Sequence, residues 1–202
     1  MKNQSAASAH KRIVILNGHP AAQSLSSMIA DRYEMSARQS GHHVERFDLG
    51  AMRFESDFGQ SSYKNAPKLE PDLEGFWQAL AQSDHFVLAH PLWWGGMPAK
   101  LKGLFDRVLL PGKAFAPKKG ASLPDKLLKG KSARVFITSD TPSWYLHLFL
   151  GAGIIKQVKR QILGYIGFAP VHVTNLAVAR NASRQQRDRW LDKVGMLAGK
   201  AR

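Results

Sequence analysis

Short apolar runs alternate with stretches of helical periodicity along this chain. Arg12-Ile-Val-Ile-Leu16 ends at Asn17-Gly18 and reads as a buried strand. Leu25, Met28, Ile29 and Tyr33 then recur at helical spacing until Gly41 stops the pattern. His43–Asp48 alternates apolar and polar residues, the mark of a second strand, and a polar loop follows from about 50 to 68. Pro71 suits the first turn of a helix whose Leu73, Phe76, Trp77 and Leu80 form one apolar face. Asp84–Ala89 is a third strand. Pro98 opens a third helix, with Leu101, Leu104, Phe105, Val108 and Leu109 on one side and Lys100, Lys102, Asp106 and Arg107 on the other.

The stretch 111–131 is rich in Gly, Pro and Lys and predicts a long excursion. Arg134–Thr138 is the fourth strand. Ser143–Tyr165 is expected to be mostly helical, with a break at Gly151-Ala152-Gly153. Val171–Thr174 is the fifth strand. Ser183 and Gln186 suggest a capping box, and Trp190, Leu191, Val194 and Leu197 continue the last helix.

Strand–helix alternation with short apolar strands predicts an α/β fold, its parallel sheet covered on both faces. Right-handed crossovers make it a doubly wound sheet, for which five strands admit the order 2-1-3-4-5. A length of 202 residues suits one such domain over 1–202, and the polar stretch Met1–Lys11 reads as a flexible leader. No apolar run reaches the roughly 18 residues of a membrane span, and a cytoplasmic setting is expected.

The chain has no cysteine, which excludes disulfides, thiolate nucleophiles and thiol-ligated metals. No histidine–carboxylate spacing suggests a metal site. The formal net charge of +14 favours anionic ligands, yet no groove-reading motif points to nucleic acid.

In sheets of this order ligands bind beyond the carboxyl ends of the strands, between strands one and three. Three loops meet that rim. After strand one, His19, Ser24 and Ser26 precede or open a helix, where backbone amides favour an anion; Ser24 also suits plain N-capping. After strand three, Pro91-Leu92-Trp93-Trp94-Gly95-Gly96 offers a platform for a flat ring, unless the two tryptophans merely plug the sheet end. After strand four come Thr138, Ser139, Asp140 and Tyr145, polar partners for a ring edge, although Tyr145 by spacing alone is equally a packing tyrosine.

These motifs carry a resemblance. Asn17-Gly18-His19-Pro20 with Ser24-Leu25-Ser26, and above all His90-Pro91-Leu92-Trp93-Trp94-Gly95-Gly96-Met97-Pro98-Ala99-Lys100-Leu101-Lys102-Gly103, resemble the flavin loops of the flavodoxin-like NAD(P)H:quinone oxidoreductase family. The resemblance implies FMN rather than FAD, NAD(P)H as co-substrate, a ping-pong hydride transfer to quinone, nitro or azo acceptors, and a homodimer with flavin sites near its interface. It implies phosphate contacts at His19, Ser24, Leu25 and Ser26, and ring contacts at Pro91, Leu92, Trp93, Trp94 and Gly95. Thr138, Ser139, Asp140 and Tyr145 would edge the ring. Tyr145 is the candidate proton donor, ahead of His147. Some relatives regulate potassium-efflux transporters, so a peripheral membrane or transporter contact through Lys156, Lys159 and Arg160 is the alternative. Asp140 and Thr141 stand where the family often has glycines, and a carboxylate there opposes the charge of a reduced ring.

Overall fold

The computed structural model describes residues 10–201, so the expected leader lies outside it but for His10 and Lys11. Among the described residues the main sheet has five parallel strands: β1 (Arg12–Asn17), β2 (His43–Asp48), β3 (His85–Pro91), β6 (Ser132–Ser139) and β7 (Val171–Ala177). Their order is β2-β1-β3-β6-β7, which is 2-1-3-4-5 once two short strands of the excursion are set aside. Those two, β4 (Phe115–Ala116) and β5 (Asp125–Lys126), pair antiparallel as a small hairpin the composition did not announce.

Side-chain alternation along the strands divides the core in two. Ile13, Ile15, Val87, Ala89 and Phe136 meet α1 (Leu25–Gln39) and α7 (Arg184–Ala198) on one face. Val14, Leu16, Phe86, Leu88, Val135 and Ile137 meet α2 (Pro71–Gln82) and α3 (Ala99–Val108) on the other. Each fully buried Phe or Leu stabilises the fold by about 2 kcal/mol relative to exposure. Met28, expected on the inward face of α1, is instead 44% exposed, because the buried stripe runs through Ile29, Ala30, Tyr33 and Ala37.

Arg107 corrects the reading of α3. Its guanidinium is buried, not solvated: Nη2 pairs with Glu70 Oε2 at 2.8 Å and donates to the Lys68 carbonyl at 3.0 Å, while Nη1 donates to the Glu55 carbonyl. Glu70 Oε1 accepts the Glu55 amide at 3.0 Å. The polar loop after β2 is thereby tied to α3. Burial alone would raise the Glu70 carboxyl, but the Glu55 amide and the Arg107 guanidinium hold it below the usual range.

The expected helix over Ser143–Tyr165 is broken, as Gly151-Ala152-Gly153 suggested. α4 (Ser143–Leu148) ends, Gly151 and Ala152 turn through positive φ, and α5 (Gly153–Lys156) leads into a π-helical stretch, Gln157–Leu163, before α6 (Gly164–Ile166). The Gly164 amide bonds the Lys159 carbonyl, an i→i+5 bond. A Cβ at Gly164 would sit 2.6 Å from that carbonyl oxygen, so the wide turn needs glycine there.

Candidate functional site

The strand register sets the rim. Asn17 of β1 lies opposite both Asp48 of β2 and Ala89 of β3, and Pro91 of β3 lies opposite Thr138 of β6. Ser139 lies opposite Ala177 of β7. The chain therefore leaves β1, β3, β6 and β7 side by side at one end of the sheet, with the β1–β3 junction as the switch point.

A cleft of about 480 Å³ opens at this rim, lined by Pro91, Leu92, Trp93, Trp94, Thr138, Ser139, Asp140, Ala179 and Arg180. Seven of these were candidates from sequence. The first wall is built by Pro91, Leu92, Trp93 and Trp94, and Trp93 exchanges two backbone hydrogen bonds of 2.9 Å with Gly96 across a two-residue turn. Trp94 and Gly95 occupy the centre of that turn with φ of 49° and 77°, the signature of type I′. Positive φ comes without strain at Gly95 but costs a bulky residue such as Trp94 on the order of 1 kcal/mol. The turn leaves the Trp94 indole fully in solvent beside the cleft. Beneath the loop, His90 is buried and its Nδ1 meets the Pro91 carbonyl at 2.8 Å. Burial pushes its pKa down to about 4, so the ring is neutral near pH 7 and Nδ1 donates.

The second wall joins β6 to β7. The Ser139 hydroxyl lies 3.2 Å from both the Thr141 carbonyl and Asn175 Oδ1. The Asp140 carboxylate is paired with Arg180, which sequence reasoning missed. The fifth strand was predicted to end at Thr174; it continues to Ala177 and so delivers Ala179 and Arg180 to the rim. An arginine just past a strand at the ligand edge was the available signal.

The β1–α1 loop lies alongside. A Cβ at Gly18 would meet Leu101 Cδ2 at 2.8 Å and His90 Cβ at 3.1 Å, so glycine lets the loop press onto α3 and β3. His19 Nδ1 accepts the Ala21 amide at 2.9 Å. Burial lowers the His19 pKa, and with Nδ1 accepting, the neutral ring carries its proton on Nε2 as a donor. The His19 ring stands edge-on to Trp93 with centroids 5.5 Å apart, which couples this loop to the cleft wall. Ser24 caps α1: its hydroxyl accepts the Ser27 amide at 3.0 Å, and Ser27 returns the bond to the Ser24 amide. Ser24 keeps its hydroxyl proton to donate. The Leu25 and Ser26 amides occupy the first helical positions, where no carbonyl of the helix can reach them. The Ser26 hydroxyl is fully buried with no hydrogen-bond partner among the described residues, and no acidic residue occupies the first turn. An orphaned hydroxyl and unused amides at a helix N-terminus fit a phosphate group.

Not every candidate enters the cleft. Ser24 lines a separate hollow with Asp31 and Arg46, and His19, Leu25, Ser26 and Gly95 line neither. Tyr145, on α4, is 41% exposed, stacks on Phe149 with centroids 5.1 Å apart and stands edge-on to Trp144. His147 Nδ1 is held by the Ser143 carbonyl at 2.9 Å.

Comparison with known proteins bears on this geometry. A family model described as flavodoxin-like fold, Flavodoxin_2, matches residues 11–194. The chain belongs to that family. An uncharacterised NAD(P)H oxidoreductase of Haemophilus influenzae is 35% identical over 128 residues, covering 62% of each chain. An FMN-dependent NADH:quinone oxidoreductase of Ruegeria pomeroyi is 29% identical over 145 residues, 64% of this chain and 70% of that one. The match thus spans less than two thirds of the Haemophilus relative. Among solved structures, Smu.1420 of Streptococcus mutans superposes with a TM-score of 0.80 at 29% identity, covering 93% of this chain and 98% of that one. NAD(P)H:quinone oxidoreductase of Methanothermobacter marburgensis shares the fold, with a TM-score of 0.77 at 24% identity over 96% and 100% of the two chains. The resemblance to NAD(P)H:quinone oxidoreductases drawn from the two loops is borne out. Within this Flavodoxin_2 member, Trp93–Gly96 follows β3, and the Ser24 cap and first turn of α1 follow β1, the two strands of the switch point.

Proposed function

We propose that this protein is an FMN-dependent reductase that passes electrons from NAD(P)H to quinone, nitro or azo acceptors in a ping-pong cycle. The carrying observation is the pairing of a tryptophan-walled cleft at the switch point with the orphaned Ser26 hydroxyl at the neighbouring helix N-terminus. The names of the Haemophilus and Ruegeria relatives support the same reading.

Bound FMN would supply the two-electron chemistry, accepting hydride from the nicotinamide and giving it up to the acceptor. The chain's own task is binding, orientation and proton supply. Ser24, Ser26, His19 and the Leu25 and Ser26 amides would hold the phosphate. Pro91, Leu92, Trp93, Trp94 and Gly95 would hold the ring on one wall; Thr138, Ser139 and Asp140 would edge it on the other. The exposed Trp94 indole offers a face on which a nicotinamide or an acceptor stacks in turn.

Tyr145 is the proposed proton donor to the reduced acceptor, which requires the acceptor to extend over α4. The aromatic group Trp144, Tyr145 and Phe149 is the surface that would meet a second copy in a homodimer. The function is tested by steady-state kinetics on FMN-loaded protein with NADPH or NADH and a benzoquinone. Parallel double-reciprocal lines are expected, and in Tyr145→Phe a slower acceptor half-reaction with an unchanged rate of flavin reduction. Intersecting lines would remove the ping-pong step, and an unaltered acceptor step in Tyr145→Phe would remove the assignment of that residue.

A further inference from the structure

Asp140 and Arg180 line the same wall of the cleft and are bound to each other twice. The Arg180 amide donates to Asp140 Oδ1 at 2.8 Å, and Arg180 Nε stands 3.2 Å from Oδ2. A third bond, from the Ala179 amide to the Ser139 carbonyl at 3.0 Å, fastens the turn after β7 to the end of β6. The turn reaches this position through Val178, which adopts φ of 58°. A β-branched residue in the left-handed region is an outlier that surrounding contacts must enforce.

The amide bonds hold the turn, but the side-chain ion pair adds little to fold stability. The two side chains are 82% and 52% exposed, and exposed ion pairs contribute little. The location of the pair offers a better reason. Two-electron reduction makes a flavin more electron-rich, and an unpaired carboxylate on the wall would disfavour that form. A ring filling the cleft also displaces water from both groups, which strengthens any charge left unbalanced there.

We propose that Arg180 is a charge-balancing residue of the cleft: it neutralises Asp140 so that the wall accepts the reduced cofactor as readily as the oxidised one. The inference rests on the flavin reading above and adds a role to a residue outside the loops that carried it.

The test compares wild type, Arg180→Gln, Asp140→Asn and the double variant, each loaded with FMN. Dissociation constants of oxidised and reduced FMN are measured together with the midpoint potential. Arg180→Gln is expected to weaken reduced relative to oxidised binding about tenfold, a fall of about 30 mV for a two-electron couple. Asp140→Asn shifts the ratio the opposite way, and the double variant returns toward wild type. Raising the ionic strength shrinks the Arg180→Gln shift, because mobile ions screen an exposed carboxylate; a role confined to shaping the turn would not respond to salt. If FMN binds but both single variants leave the ratio unchanged, or move it in the same direction, the charge-balancing role is wrong. Wild type that takes up no FMN removes the flavin reading, and this inference with it.

Discussion

At the scale of single residues, two side chains are held in states that a free chain would not choose. Trp94 sits at positive φ with its indole in water, a conformation asparagine adopts far more easily. Trp94→Asn is therefore expected to raise thermal stability, by up to about 1 kcal/mol from relieved strain, while lowering kcat/KM for the acceptor. Equal loss of both in calorimetry and kinetics would show that the indole packs rather than receives substrate. His90 is kept neutral by burial, with its pKa pushed down to about 4 from an ordinary 6.5. The unfolded chain takes up this proton below about pH 6.5 and the folded protein does not, so stability rises with pH across the window from about 4 to 6.5. His90 contributes a slope of up to about 1.4 kcal/mol per pH unit there. Denaturant melts of His90→Gln should show a shallower dependence over that window; an identical slope would mean that His90 does not titrate there. Of the candidate residues, Trp93 and Trp94 were legible because tryptophans are costly to leave exposed in a loop, and Ser26 because a hydroxyl at a helix N-terminus suits an anion. Arg180 was not, because its meaning depends on a partner in a different loop.

At the scale of elements, apolar periodicity identified the five main strands and placed the ligand edge, since strand order and register then determine which loops meet. It could not foresee buried charge. On α3, Arg107 satisfies the helical pattern of a solvent-facing residue, and only the folded loop from Glu55 to Glu70 reveals its partners. Glu70→Ala leaves a buried guanidinium without its carboxylate and should destabilise the protein by about 3 kcal/mol. Proteolysis should then cut within residues 55–68 before the sheet is attacked. Wild-type stability in this variant would mean that the two backbone carbonyls alone suffice for Arg107. The hairpin β4–β5 and the π-helical turn were equally hidden. The first rests on two short pairings, the second on amides reaching one residue further than an α-helix allows.

At the scale of the whole molecule, the surface carries both an excess of positive charge and a concentrated apolar patch. Trp144, Leu148, Phe149 and Leu150 are more than half exposed on one short segment, more than a surface usually leaves bare in one place. Under the homodimer reading, light scattering should give twice the chain mass, and Leu148→Glu with Phe149→Glu should halve it while FMN uptake persists. A wild-type monomer would contradict that reading. Among the described residues no helix is long and apolar enough to cross a membrane. Lys156, Lys159 and Arg160 are exposed together on the segment after the break, the face an anionic membrane or transporter would meet under the alternative role. The most direct measurement for the flavin reading is an anaerobic titration of FMN-loaded protein with NADPH and then NADH, followed through the visible flavin band. Rapid bleaching, reversed on adding a benzoquinone, is the predicted result. A chain that takes up no FMN, or whose flavin neither nucleotide bleaches, would contradict the reductase function.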